Sequence, residues 1–155
     1  MNPIAPDIAP EAAEFWEATK DRRLVIQHCP TCGHQWYPRA ICTGCGDQPG
    51  WVEISGRGTL HSFTTVHRSP DGRKVESLER SPRSRGDGPR SAEPSGRGAG
   101  DWLQPPYVIA LVELDEGPRM LTRLVGGDPV CDASVIVDWH PLDDGRHLPV
   151  FRIEG

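Results

Sequence analysis

The apolar positions of the chain follow two periods, one helical near the N-terminus and one typical of strands further on. Pro10 and Glu11 suit the first turn of a helix, because proline needs no backbone donor there and an acid favours the positive end of the helix dipole. From Glu11 to about Arg22 the pattern predicts a helix with one docking face. That face consists of Ala12, Phe15, Trp16 and Thr19, which recur at spacings of three and four.

Short runs of β-branched and aromatic residues predict strands over most of the remaining chain. Gly56 and Gly58 stand where a bend or bulge can form. Asp115-Glu116-Gly117-Pro118 has the composition of a turn, so the strands on either side of it are expected to pair as a hairpin. The predicted strands are residues 24–26, 51–54, 58–67, 106–114, 119–125, 135–139 and 150–153.

One long segment, residues 69–104, interrupts this strand pattern. It holds six serines, six glycines and four prolines among its 36 positions, with only scattered apolar residues. Such a composition does not build a core, and it predicts a solvated loop that joins two strands. A partner-binding arm that orders on contact is the alternative interpretation.

Length and composition limit the class of protein. A chain of 155 residues with 17 glycines, 16 prolines and 36% hydrophobic residues has room for one compact domain and a small module, mainly β in class. A net charge of -5 argues against nucleic acid, whose phosphates an acidic surface repels. The sequence has no apolar run of roughly 20 residues and no leader-like N-terminus, so we expect no membrane contact and a cytoplasmic location.

Four of the five cysteines form two close pairs, Cys29 with Cys32 and Cys42 with Cys45, each followed by glycine. Two residues between cysteines let one tight turn present both sulfurs to a single ion, and glycine permits the positive φ that follows. Four thiolates complete a tetrahedral shell with no position for water, which predicts a structural zinc site. Iron in a rubredoxin-like setting has the same ligands, and redox-active thiols are a further alternative.

The remaining reactive side chains form no catalytic constellation in the sequence. Cys131 has no basic neighbour that would lower its pKa, and we expect it to be a small buried residue. An independent enzyme that uses histidine and aspartate on the barrel, with His61 or His67 essential, remains an alternative.

An ordered set of segments resembles the DUF35 family, zinc-ribbon OB-fold proteins associated with acyl-CoA metabolism. The likeness covers nearly all of the chain except residues 69–104, which makes it more specific than the cysteine pairs alone. The matching segments are Phe15-Trp16-Glu17, both cysteine pairs, residues 36–39 between them, and residues 56–64, 106–119 and 148–152.

The resemblance implies a mainly β protein in three parts: an N-terminal helical segment at 1–26, a rubredoxin-like zinc ribbon at 27–50 and an OB-fold barrel at 51–155 that contains the 69–104 loop. Family members act as small subunits beside thiolase-like or lipid-transfer-protein-like enzymes, including ketothiolases, acyltransferases and aldolases. The resemblance thus implies a non-catalytic subunit with a Zn²⁺ cofactor. It also implies that acyl-CoA is met through the complex and that the partner holds the catalytic residues.

Two sets of side chains are candidates for contacts on this interpretation. Phe15, Trp16 and Trp36 are candidates for the partner interface, because exposed aromatic residues commonly anchor interfaces. Arg39 and Arg57 are candidates for the phosphates of acyl-CoA. The same two arginines, together with Arg68, Arg119 and Arg123, also suit a basic patch for an alternative function, binding of single-stranded nucleic acid by an OB-fold and zinc ribbon.

Overall fold

A computed structural model describes residues 5–36, 38–68 and 105–154, and for Trp36 the backbone alone. The segment 69–104, which the sequence predicts to be a loop, lies outside the described residues. Within the described residues, no helix is both long and apolar enough to cross a membrane.

The N-terminal helix is shorter than predicted. A 3₁₀ turn at Pro10–Ala12 leads into helix α1, Ala13–Lys20. The predicted extension to Arg22 is wrong, because Arg22 adopts a left-handed backbone with φ of 56° and the helix has already ended. The C-cap residue Asp21 donates its N–H to the last turn.

The docked face of α1 is also shifted from the prediction. Ala18 and Thr19 are its buried residues, whereas Phe15 and Trp16 are half-buried and pack edge to face with ring centroids 5.2 Å apart. The Thr19 hydroxyl donates to the Trp16 carbonyl at 2.7 Å, which satisfies its polar group at the buried position.

A three-stranded antiparallel sheet follows the helix, in the order β2-β1-β3. Its strands are β1 Val25–His28, β2 Gln35–Trp36 and β3 Gly50–Glu53. The two-residue strand β2 has too little sequence to show a period, and the sequence does not predict it. The central strand β1 is only four residues long, but it pairs on both sides, so three of its four residues are buried.

Five further strands form a closed barrel in the order β4-β5-β6-β8-β7, with β7 returning to β4. All pairings are antiparallel except β6 with β8, which meet in parallel at Leu124 and Phe151. The predicted hairpin of β5 and β6 is confirmed, and the order is that of an OB-fold barrel. The strands are β4 Arg57–Val66, β5 Tyr107–Leu114, β6 Arg119–Leu124, β7 Ser134–Pro141 and β8 His147–Ile153.

Strand β4 bends so that it can pair with both β5 and β7. The bulge lies between Leu60 and Ser62, a few residues beyond the predicted glycines. Gly56 has a φ of 70°, and a Cβ there would overlap Val137. A Cβ at Gly58 would overlap the backbone of β5, so these glycines permit close approach of strands.

The ribbon and the barrel share one hydrophobic core. Leu24 and Ile26, at the start of the ribbon, are buried in the same cluster as Leu60, Val112 and Phe151 of the barrel. The Ile54 N–H donates to the Leu24 carbonyl at 2.9 Å, which ties the end of β3 to the start of β1. The position of the ribbon is therefore set by the barrel core.

Candidate functional site

The two cysteine pairs fold into matching turns. The N–H of Gly33 donates to the Cys29 carbonyl and that of Gly46 to the Cys42 carbonyl, each at 2.9 Å. Gly33 and Gly46 have φ of 71° and 84°, the left-handed conformation that glycine adopts without a steric cost. The sequence prediction of a positive φ after each pair is thus confirmed.

These turns bring all four cysteine sulfurs together. Every Sγ lies within 4.8 Å of the others, with Cys29 to Cys45 at 3.4 Å and Cys32 to Cys42 at 3.5 Å. Tetrahedral zinc with sulfur bonds of about 2.3 Å needs sulfur separations of about 3.8 Å, so the cluster fits a single ion after small adjustments. Cys29 and Cys42 are buried and the other two are exposed, and none of them is in a disulfide.

The sulfurs differ in how readily they ionise without metal. The backbone N–H of Cys32 lowers the pKa of Cys29 to about 7. The backbone N–H of Asp47 acts to lower the pKa of Cys45, but hydrogen bonds with the other three thiols, Cys29 foremost, and desolvation within the cluster raise it to about 12. Clustered thiols therefore resist carrying four negative charges, and a divalent cation supplies the compensating charge.

A buried glutamine supports the second turn from outside the cluster. The Gln27 side-chain amide donates to the Arg39 carbonyl at 3.0 Å, and its oxygen accepts from the Arg39 N–H at 2.8 Å. This pair of bonds holds the chain between the two cysteine turns against β1. Sequence reasoning missed Gln27, although a polar residue directly after Leu24-Val25-Ile26 is the available signal, since a buried amide needs a partner.

A groove of about 520 Å³ lies beside α1 on the barrel surface. Phe15 and Trp16 form one wall of this groove. The rest of its lining is Leu111 of β5, residues 119–123 of β6 and residues 148–150 of β8. Two of the residues predicted for a partner interface therefore meet an apolar depression that the sequence did not predict.

Arg146, directly before β8, and His147, its first residue, hold the N-terminal segment in place. Buried Arg146 donates to Asp144 at 2.6 Å and to the Pro6 carbonyl at 3.0 Å, and its guanidinium lies 4.9 Å from the Trp16 ring centroid. The hydrogen bond from Arg146 lowers the pKa of Asp144. His147 Nδ1 lies 2.9 Å from the Thr19 carbonyl, which makes it the donor.

The other predicted residues are dispersed. Arg57 is at the start of β4 and pairs with Glu154 at 2.9 Å, while the exposed Arg39 is in the ribbon. The side chain of Trp36 lies outside the described part of the chain. The expectation that Cys131 is buried is wrong: it is exposed in a turn before β7, where Asp132 has a φ of 66°.

The fold and the cysteine site define the class of protein, a zinc ribbon joined to an OB-fold barrel. Two family models match it, the ChsH2 rubredoxin-like zinc ribbon domain over residues 16–50 and the ChsH2 C-terminal OB-fold domain over residues 51–82 and 93–140. The chain belongs to this ChsH2 family of DUF35 proteins. The predicted family, fold and Zn²⁺ cofactor are thereby confirmed, and the four cysteines are positioned so that they could bind a metal ion.

Relatives of known name share this sequence at moderate identity. A probable enoyl-CoA hydratase alpha subunit of Thermomonospora curvata is 34% identical over 95% of this chain, and a DUF35 domain-containing scaffold protein of Methanocaldococcus jannaschii is 29% identical over 74%. This chain spans 39% of the first relative and 64% of the second.

The solved structures include a full-length match. A chain of the Ltp2-ChsH2(DUF35) aldolase superposes with a TM-score of 0.69 and 33% identity, over 96% of this chain and 98% of the other. The similarity therefore includes the helix, the ribbon and the barrel together.

Proposed function

We propose that this protein is a non-catalytic accessory subunit that assembles with a thiolase-like enzyme acting on acyl-CoA, such as a ketothiolase, an acyltransferase or an aldolase. The observation that carries the proposal is the end-to-end similarity to a chain of the Ltp2-ChsH2(DUF35) aldolase. The names of the relatives, hydratase alpha subunits and scaffold proteins, agree with a role inside a larger assembly.

The metal centre supports an assembly role over a chemical one. Four thiolates fill the tetrahedral shell of zinc, so no position is left for substrate or water. The metal then stabilises the ribbon, and the ribbon provides a surface that the partner subunit can contact. On this proposal the catalytic residues belong to the partner subunit.

The contact residues predicted from sequence enter this proposal as predictions. Phe15 and Trp16 are half-buried at the groove beside α1, so they retain surface for a partner, and Trp36 is the third candidate. Arg39 and Arg57 are the candidates for acyl-CoA phosphates. The division into segments 1–26, 27–50 and 51–155 also stays a prediction.

Isolation of the natural complex tests the function. The tagged chain is purified from its own cells, the protein that accompanies it is identified by mass spectrometry, and the pair is then produced together. We expect a thiolase-like subunit that elutes with this chain in size exclusion and loses acyl-CoA turnover or stability when the chain is omitted. Two separate peaks, with full activity in the larger protein alone, would contradict the proposal.

A further inference from the structure

The groove beside α1 continues onto an exposed apolar strip of the barrel. Leu111 on β5 and Leu121 on β6 are direct cross-strand partners, and both line the groove. Leu121 is 73% exposed, more than the other large apolar residues of the described chain that reach the surface. One isolated surface leucine is ordinary, but here it adjoins further apolar side chains in a shaped depression.

The depression exists because β6 and β8 separate. In the ladder the two strands meet in a single pair, Leu124 with Phe151, and toward the start of β6 the Thr122 hydroxyl donates to the Pro149 carbonyl at 2.8 Å. Helix α1 closes one side of the resulting gap with Phe15 and Trp16. Because buried Arg146 holds Trp16, this wall is formed before any ligand arrives.

Positive charge borders the groove. Arg119 and Arg123 both belong to its lining, and none of the described lining residues carries a carboxylate. Arg119 shares its charge with Glu113 at 2.8 Å, while Arg123 lies over the Tyr107 ring. Burial, together with the nearby charge of Arg123, lowers the pKa of His140.

We propose that this groove, including Leu121, is the docking site for a segment of the partner enzyme that carries apolar side chains flanked by acidic ones. The proposal rests on the accessory-subunit function above and assigns it a surface. A leucine that projects so far from the groove floor is covered by an opposing protein surface, whereas a small ligand is enclosed by its pocket. Carboxylates on the partner would meet the arginine-bordered rim.

Variants at one position separate the apolar and the electrostatic parts of this proposal. The natural complex is formed with Leu121→Ser, Leu121→Asp and Leu121→Lys, and the affinity is measured by titration calorimetry. We expect Leu121→Ser to weaken binding about tenfold, because the buried leucine surface is lost. We expect Leu121→Asp to bind more weakly than Leu121→Lys, since only the aspartate repels an acidic segment.

Val130→Asp is the matched control, because Val130 is 61% exposed and lies outside the groove. It should leave the affinity unchanged, and all variants should keep zinc and their circular dichroism spectra.

Wild-type affinity in Leu121→Asp would overturn the site while leaving the accessory function standing, and equal affinities of the Asp and Lys variants would overturn the acidic partner segment. Dimers of the chain alone that Leu121→Asp dissociates would instead identify a second copy as the occupant. Failure of the wild-type chain to bind the thiolase-like subunit would overturn both proposals.

Discussion

The five cysteines divide into two kinds according to what surrounds each sulfur. Four of them face one another within a single cluster, whereas Cys131 is exposed and stands apart in a loop. Cys42 is buried in the cluster and accepts the Gly44 N–H at 3.3 Å on its sulfur. A serine hydroxyl at position 42 would be a poor zinc ligand, so only three thiolates would remain to bind the ion.

Replacing Cys42 with serine should release zinc and unfold the ribbon. The expected zinc content, measured by atomic emission, falls from one ion per chain to almost none, because a structural site depends on its complete shell. Cys131→Ser is the matched control, and it should retain both the metal and the melting temperature. Full zinc retention by Cys42→Ser would show that the ribbon does not need the fourth thiolate.

Alanine variants of two glycines with similar φ angles distinguish the cost of a strained backbone from the cost of steric overlap. Gly56 and Gly145 have φ of 70° and 84°, but a Cβ would overlap Val137 at Gly56 and would meet open space at Gly145. Alanine at either position costs about 1–2 kcal/mol for the left-handed conformation. Gly56→Ala should lose roughly a further 1–3 kcal/mol from overpacking, as measured by urea unfolding. Equal losses in the two variants would mean that Val137 moves aside freely.

Among the elements, strand β1 has the most demanding position. It pairs with β2 and β3, contributes to the shared core through Ile26, and carries the Gln27 side chain that holds Arg39. Four residues thus join the barrel, the ribbon sheet and the chain between the cysteine turns. A short strand with this many partners is sensitive to the loss of any one of them.

Gln27→Ala should loosen the second cysteine turn without touching a sulfur. The loss of two hydrogen bonds at a buried position, about 1–3 kcal/mol, is expected to speed zinc transfer to a chelator about tenfold. Gln48→Ala removes an exposed glutamine of the same ribbon and should leave the rate unchanged. Equal rates of zinc release in the two variants would show that the Gln27 side chain does not stabilise the metal site and acts only within the ribbon sheet.

At the scale of the whole molecule, the shared core joins metal binding to the stability of the barrel. Leu24 and Ile26 leave the core if the ribbon unfolds, and the barrel then exposes the apolar surface they covered. Removal of zinc by a chelator should therefore lower the protection of β5 and β6 against hydrogen exchange, in addition to that of β1 to β3. Added zinc should restore both, and barrel strands that keep full protection would show that the two parts are energetically separate.

Contacts between distant segments lay beyond sequence reasoning. Arg146 donates to the Pro6 carbonyl across 140 positions of the chain, and Gln27 bonds to Arg39 across the first cysteine turn. The parallel meeting of β6 and β8, the separation that opens the groove, and the exposure of Leu121 likewise arise from how strands return to one another. The local pattern of apolar residues does not indicate which distant strands will pair, because that pairing depends on the closure of the barrel.

The sequence by itself determined the clustering of the four cysteines, the presence of the N-terminal helix, the β5–β6 hairpin and the family. Each of these rests on residues close together in the chain or on their order: two residues between cysteines, a glycine after each pair, a turn between two apolar runs. The tertiary structure alone decided the common core of ribbon and barrel, the anchoring of α1 and the shaped groove. Those features are made by side chains from separate elements, whose distances are set only when the whole chain has packed.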